Sequence, residues 1–355
     1  MSPVSIARRR LVTAAFRRQH DYYSFSTKSK DPTATILAHS LRENVKSNAP
    51  DATFLFSGNG NRISHERFCE SAFAFARALL DLEYANVSAN RENKPLAVRL
   101  GDSPELLIAL TGALLAGVKV ESAKTKGEFL EVKSFGSLVH ADLASAAGGM
   151  IGAHEPIAVG EAGLKEKVVH WDVLMHAYGR REEDEKEDSI LSSSGREALF
   201  YFNSSEKGDR AETLFGYGEQ AAKAMELRRE DVVMVGVPML HAMGFGFGAL
   251  GAMMAGARIM VPGTCDGVVD DSVKIDRAGN VKKALMSSIS ASSSNDDDSD
   301  DDIVTAMVSD MHIVKALREE DANRALLKNV RTGLVKVGGG ASVGEHAPVD
   351  MLGVP

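Results

Sequence analysis

Between Ala52 and Val120 the sequence switches its hydrophobic period repeatedly, and few architectures accept the resulting pattern. Ala52 to Ser57 (ATFLFS) is a short apolar run with strand character, closed by Gly58, Asn59, Gly60 and Asn61, a hairpin-type turn signal. Ser64 then offers an N-cap, with Arg67 at the third helical position. Phe68, Ala72, Phe75, Ala76 and Leu79 recur at helical spacing behind it. A polar stretch, Ser88 to Lys94, leads into the strand pattern Leu96 to Leu100 (LAVRL). Gly101, Asp102, Ser103 and Pro104 open a helix over Glu105 to Ala116, Gly117 ends it, and Val118 to Val120 begins another strand. Helices alternating with strands predict an α/β domain with mostly parallel sheets flanked by helices.

The same alternation continues toward Pro355. Thr33 to Ser47 reads as a helix ahead of it, and Ala198 to Phe202 (ALFYF) as a buried strand. Residues 211–227 read as a helix, Val232 to Val237 as a strand, Gly246 to Ala255 as a Gly/Met-rich helix ended by Gly256, and Arg258 to Val261 as a strand. Further on come a strand at Ile303 to Val308, a helix at Met311 to Glu320 and a strand at Thr332 to Val337. Two polar stretches interrupt the pattern: 180–194, rich in acids and serine, and 287–302 (SSISASSSNDDDSDDD). The second has too few apolar residues to fold, and both are expected to loop out of one large domain spanning 33–355.

Charge and composition narrow the function classes. The formal net charge is −8, and outside the first 30 residues no basic cluster is dense enough to neutralise phosphates along a nucleic acid. No apolar run approaches the ~18 residues of a membrane span. Cys69 and Cys265 stand far apart, with no metal-ligand spacing. Residues 1–30 differ in kind. They hold Arg8, Arg9, Arg10, Arg17 and Arg18, several serines and a first acid only at Asp21, while Val4, Leu11, Val12, Ala15 and Phe16 share one side of a helical wheel. That is the composition of a transit peptide-like leader, disordered before import, addressed to mitochondria or a plastid. A basic tail with no address is the plainer alternative.

Three stretches could carry chemistry. Phe202 to Glu212 (FNSSEKGDRAE) is a polar loop between a strand and a helix, a position where backbone N–H groups and a helix N-terminus favour anions. It lacks the Gly-Lys-Ser/Thr ending of a P-loop, and Glu206, Asp209 and Glu212 add negative charge, so a surface turn is the competing reading. Val237 to Gly248 (VPMLHAMGFGFG) brings His241 into a segment where Gly246 and its neighbours alternate with Phe245 and Phe247. Such glycines admit an apolar ligand close to the backbone, or equally serve tight helix packing. Val337 to Val343 (VGGGASV) lies at the carboxyl end of a strand, where open α/β sheets place their ligands, although its spacing fails the G-x-G-x-x-G pattern.

Taken in order, these pieces resemble the N-terminal part of the adenylate-forming acyl-activating family, the AMP-binding, acyl-CoA synthetase-like proteins. ISHERFCESAFAFARALLDL with KPLAVRLGDSPELLIALTGALLAGVKV is similar to the family's opening helix and strand–helix–strand. ALFYFNSSEKGDRAETL resembles its nucleotide loop, VGVPMLHAMGFGFGALGAMMAGARIMVP its P-L-F-H block, and NVRTGLVKVGGGAS its later glycine block. The resemblance covers roughly Ile63–Ser342. It implies the large N-terminal domain of that fold, with the family's small C-terminal domain missing beyond Pro355.

It also implies a ligase chemistry: ATP and Mg2+ with a fatty or small organic acid give an acyl-adenylate, and coenzyme A then takes the acyl group as a thioester. By position, Ser204, Ser205, Lys207 and Gly208 would line the triphosphate, and His241, with Gly246 beside it, would sit at the acyl and pantetheine end. Gly339, Gly340 and Ala341 would lie against the adenine and the acyl wall. The loop departs from the family pattern: Asn203 stands for Thr, Ser205 for Gly, Glu206 and Lys207 for hydroxyl residues, and Arg210-Ala211 for Pro-Lys. Losing that lysine and adding Glu206 works against developing phosphate charge, so weakened adenylation is expected. The alternatives are a non-catalytic homologue that binds an acyl group, a nucleotide or a partner, and an incomplete gene product. Nothing in the sequence fixes the oligomeric state.

Overall fold

The structure is a computed structural model. It describes residues 33–48, 52–58, 60–82, 95–122, 136–140, 157–159, 169–179, 198–202, 208–263, 276–292, 303–319, 325–336 and 346–348. The leader, the 180–194 stretch, Ser204, Ser205, Lys207, Gly339, Gly340 and Ala341 lie outside the described residues.

The first elements form as the residue pattern predicts. Helix α1 spans Thr33–Ser47, strand β1 Thr53–Ser57 and strand β2 Arg62–Ser64. Helix α2 (His65–Asp81) starts where the Arg67 N–H donates to Ser64 Oγ at 3.2 Å. Its apolar stripe is wholly buried: Phe68, Ala72, Phe75, Ala76 and Leu79 are all core residues. Strand β3 (Leu96–Arg99) is followed by Ser103, whose Oγ accepts from the Leu106 N–H at 3.2 Å, with Pro104 as the first residue of helix α3 (Pro104–Ala116). Gly117, at φ 66°, ends α3 in the left-handed conformation that costs glycine least. Helix α3 is apolar on every side because it is buried on every side.

Strands β4 (Val120–Ser122), β5 (Gly136–His140), β6 (Ile157–Val159) and β7 (Val169–His170) follow, then helix α4 (Trp171–Gly179). Strands β8 (Leu199–Tyr201) and β9 (Asp209–Arg210) precede helix α5 (Ala211–Ala224) and strand β10 (Val232–Val235). A π-helix at Met243–Leu250 runs directly into the short helix α6 (Gly251–Ala255), and β11 (Arg258–Val261) follows. The remaining elements are helix α7 (Arg277–Ser292), strand β12 (Ala306–Asp310), helix α8 (Met311–Glu319) and strands β13 (Thr332–Lys336) and β14 (His346–Pro348).

These strands form two seven-stranded sheets, ordered β14-β13-β12-β10-β11-β1-β2 and β7-β6-β5-β3-β4-β8-β9. Pairing is parallel except at the edges, where β2, β9 and β14 each run antiparallel to their neighbour. In the first sheet, Val233, Val235, Ile259 and Val308 face the large core shared with α2, α3 and the π-helix. Val232, Met234, Met260 and Met307 face a smaller core with Val281 and Leu285 of α7 and Val314 and Leu317 of α8. Burial on both faces explains why β10 reads as an unbroken apolar run instead of an alternating one.

Three sequence expectations are corrected. The 287–302 stretch does not loop out from its first residue: α7 continues to Ser292 and Ser288 is buried, its hydroxyl donating to the Leu285 carbonyl at 2.9 Å. Valine and leucine upstream anchor the helix and carry its polar end along. The helix expected from Gly246 begins at Met243 with π geometry. The strand expected at Ile303–Val308 sits at Ala306–Asp310; Thr305 leads into it, its N–H donating to the Val232 carbonyl at 3.1 Å and its carbonyl accepting from the Arg331 N–H at 2.9 Å.

Candidate functional site

Parallel strands bring their carboxyl ends to one edge, so the loops leaving β10, β12 and β13 stand together, as do those leaving β3, β4 and β8. The two edges meet at Asp102. This buried carboxylate follows β3, yet its Oδ1 accepts from the Met239 N–H at 2.8 Å, in the segment that follows β10. Its Oδ2 accepts from Arg277 Nη1 at 2.8 Å, at the start of α7. One side chain thus fixes three elements around the crevice. Sequence reasoning took Asp102 only as a turn residue and passed over Arg277.

The segment so held, Pro238 to His241, folds back against its own helix. A Cβ on Gly244 would lie 2.0 Å from the Pro238 carbonyl oxygen, so only glycine permits that approach. Beyond it the π-helix packs its aromatic side chains into the junction between sheets. Phe245 meets Phe200 at 5.5 Å and Phe202 at 6.4 Å between ring centroids, and Phe247 stacks on Tyr217 of α5 at 4.6 Å. Gly246 is buried, and its open side faces Leu214 and Tyr217 of α5, each 3.3 Å from the place of a Cβ. Gly246 therefore makes a helix-packing contact, one of the two roles its sequence context allowed. A π-helix widens the turn and is frequent at functional sites.

His241 stands half-buried at the head of this segment. The Met243 N–H donates to its Nδ1 at 3.0 Å. That Nε2 lies 3.0 Å from Nζ of Lys336, the last residue of β13. The structure therefore joins His241 to a lysine that sequence reasoning had not singled out. A lone lysine in the apolar run GLVKV, at the carboxyl end of a strand, was the available signal.

Of the polar loop after β8, Gly208 and the residues beyond it are described. Gly208 packs on the Tyr201 ring, with a Cβ place 2.9 Å from Tyr201 Cε1. Asp209 and Arg210 form β9, so the loop is shorter than its sequence implied. Burial pushes the Asp209 carboxyl up. Burial, and secondarily the Asp209 charge, pushes the Tyr217 phenol up. Asp209 thus holds its proton more tightly than an exposed aspartate. Burial also raises Glu121 on β4, which pairs in register with Tyr201. Among the described residues no group of three His, Cys, Asp or Glu side chains could hold a metal ion. No helix among them is long and apolar enough to cross a membrane.

No family model matches the sequence, and no curated protein matches it. Solved structures do match. An anthranilate CoA ligase in complex with anthranoyl-AMP superposes with a TM-score of 0.58 at 14% identity, over 84% of this chain and 54% of that one. The N-terminal domain of FACL13 from Mycobacterium tuberculosis matches with a TM-score of 0.56 at 14% identity, over 85% and 76% respectively. The o-succinylbenzoate CoA synthetase from Bacillus subtilis, in complex with its acyl-adenylate intermediate, gives 0.51 at 14% identity, over 84% and 53%. The fold is therefore that of the large N-terminal domain of adenylate-forming acyl-CoA ligases, and the chain spans about half the length of the ligases cited here with a bound adenylate.

Proposed function

We propose that this chain is an adenylate-forming acid–thiol ligase homologue whose crevice binds a carboxylic acid and a nucleotide. The observation that carries the proposal is the convergence at Asp102, which brings the carboxyl edges of both sheets together and holds the His241 segment between them. Open α/β sheets bind ligands at such an edge. The solved ligases of this fold that hold anthranoyl-AMP and an acyl-adenylate intermediate support the ligand class.

In this reading Ser204, Ser205, Lys207 and Gly208 grip the phosphates, and Gly339, Gly340 and Ala341 border the adenine. His241 serves the acyl end, with coenzyme A as the acceptor in the complete reaction. Magnesium would neutralise the triphosphate. No ligand set for it lies among the described residues, and no step here is assigned to it. Glu206 and the lost Pro-Lys pair weaken the loop's hold on phosphate, so ligand binding should outlast turnover. The leader would direct the chain to mitochondria or a plastid, and a reporter carrying residues 1–30 that stays cytosolic would refute that part.

Calorimetry with AMP and with fatty and aromatic acids tests the main reading. AMP and at least one acid should bind, and His241→Ala should weaken the acid alone. Absence of both affinities contradicts it. Acid-dependent pyrophosphate exchange well above a blank would instead show that the altered loop still turns over.

A further inference from the structure

We infer that Arg277 is a positioning residue for the acid: without touching the ligand it fixes, through Asp102, where the His241 segment stands. The inference rests on the ligase reading and adds to it a residue outside every block that resembles the family.

Asp102 lies between β3 and α3, in the second sheet's half, and both donors on its carboxylate come from the first. The Met239 N–H, after β10, donates to Oδ1 at 2.8 Å. Arg277 Nη1, at the start of α7 between β11 and β12, donates to Oδ2 at 2.8 Å. A carboxylate buried as deeply as this one needs a cation beside it, and loses its hold when that cation is removed. Arg277 is that cation. Without it the carboxylate turns toward water, and the Met239 N–H loses a fixed acceptor.

What happens at Met239 is passed to His241, because the residues around it are tied to one another. The Met243 N–H donates to His241 Nδ1 at 3.0 Å, and the Phe245 N–H to the His241 carbonyl at 3.0 Å. Gly244 lies so close to Pro238 that a Cβ would stand 2.0 Å from its carbonyl oxygen. The Phe245 ring holds the far end of this piece against Phe200, and Asp102 holds the end that carries His241. Arg277 therefore acts on the acid site at one remove, across 175 residues of sequence.

The test is calorimetry of hexanoate, benzoate and AMP on the full chain, with hydrogen exchange at the Met239 amide. Arg277→Met should weaken the acid that binds roughly tenfold, the worth of one hydrogen bond to a charged group, and move AMP by less than about twofold. Exchange should speed up at Met239 and stay unchanged at Gly236, whose N–H donates to the Val308 carbonyl at 2.8 Å within the sheet. Asp102 takes a single N–H from Arg277, a bond that a lysine ammonium also makes, so Arg277→Lys should restore most of the acid affinity. In an Asp102→Asn background Arg277→Met should cost little more, since the charge it serves is gone. Should Arg277→Met fail to fold, Arg277→Gln, which keeps a donor and loses the charge, takes its place. Lower stability with unchanged acid affinity, as expected of Asp231→Ala, overturns the inference. Equal loss of acid and AMP, which marks direct contact with an anion, overturns it too, as do additive effects in the double variant. In these cases wild-type binding leaves the ligase reading standing, whereas a wild type that binds neither AMP nor either acid brings down both.

Discussion

The two ends of the first sheet are built on different terms. At the amino end the buried carboxylate of Asp231 accepts from Arg331 through both oxygens, from the Thr305 hydroxyl at 2.7 Å and from the Arg228 N–H at 2.6 Å. Arg331 donates further to the carbonyls of Met225 and Glu226. Donors and acceptors there answer one another, and the knot ties β10, β12 and β13 to the turn before them. At the carboxyl end Asp102 is satisfied in the same way, while the half-buried His241 meets Lys336 at 3.0 Å where β13 ends. A closed, buried network holds a fold together, whereas half-buried polar side chains at the carboxyl edge stand where open α/β sheets place their ligands. The difference separates residues that matter for folding from residues that matter for binding.

The largest effect should come from the closed end. Asp231→Ala leaves the Arg331 guanidinium, the Thr305 hydroxyl and the Arg228 N–H without their acceptor, and should cost about 3 kcal/mol in a chemical denaturation midpoint. Ligand affinity per folded molecule should not change. A change in AMP affinity in the folded fraction would blur the division.

The amino end also carries an acid sensitivity. His65 is buried against Phe54, with ring centroids 4.7 Å apart. Burial, followed by the charges of Arg258 and Arg229, lowers its pKa to about 4. The unfolded chain takes up a proton as the pH falls through 6.5, and the folded one does so only near 4. Stability from this group is therefore whole above pH 6.5 and lost as the pH falls toward 4. By pH 5 the loss should reach about 2 kcal/mol. His65→Leu should flatten that part of the profile, and an unchanged slope would assign the acid sensitivity to other groups.

Smaller effects belong to the carboxyl end. Asp102→Asn keeps an acceptor for the Met239 N–H and loses the charge opposite Arg277, at about 1–2 kcal/mol. Asp102→Ala should cost more and also weaken acid binding, because the segment carrying His241 comes loose. If both variants bind acid as the wild type does, Asp102 serves the fold alone.

Much of this molecule is readable from sequence for one reason: most of its elements are set locally. Ser64 and Ser103 cap the helices they precede, Gly117 and Gly256 end them, and the β-branched runs at 232–235 and 258–261 form buried parallel strands. What escaped is what tertiary contacts decide. Ser288 follows an anchored helix into the core despite its polar surroundings. The GFGFG segment adopts π geometry where Gly244 lies against Pro238 and Gly246 against α5, the second a contact from outside its own stretch of sequence. In the site, His241 was legible as the only histidine in a Gly/Phe-rich segment. Asp102, Arg277 and Lys336 were not, since they meet across separations of 137, 175 and 95 residues.

Hydrogen exchange with and without a non-hydrolysable acyl-adenylate compares the two ends in one experiment. Protection should rise in the amides of 239–245, next to the crevice, and stay unchanged in those of 226–232, within the Asp231 knot. Protection gained equally at both ends, or at the amino end alone, would contradict a crevice that binds its ligands at the carboxyl edge.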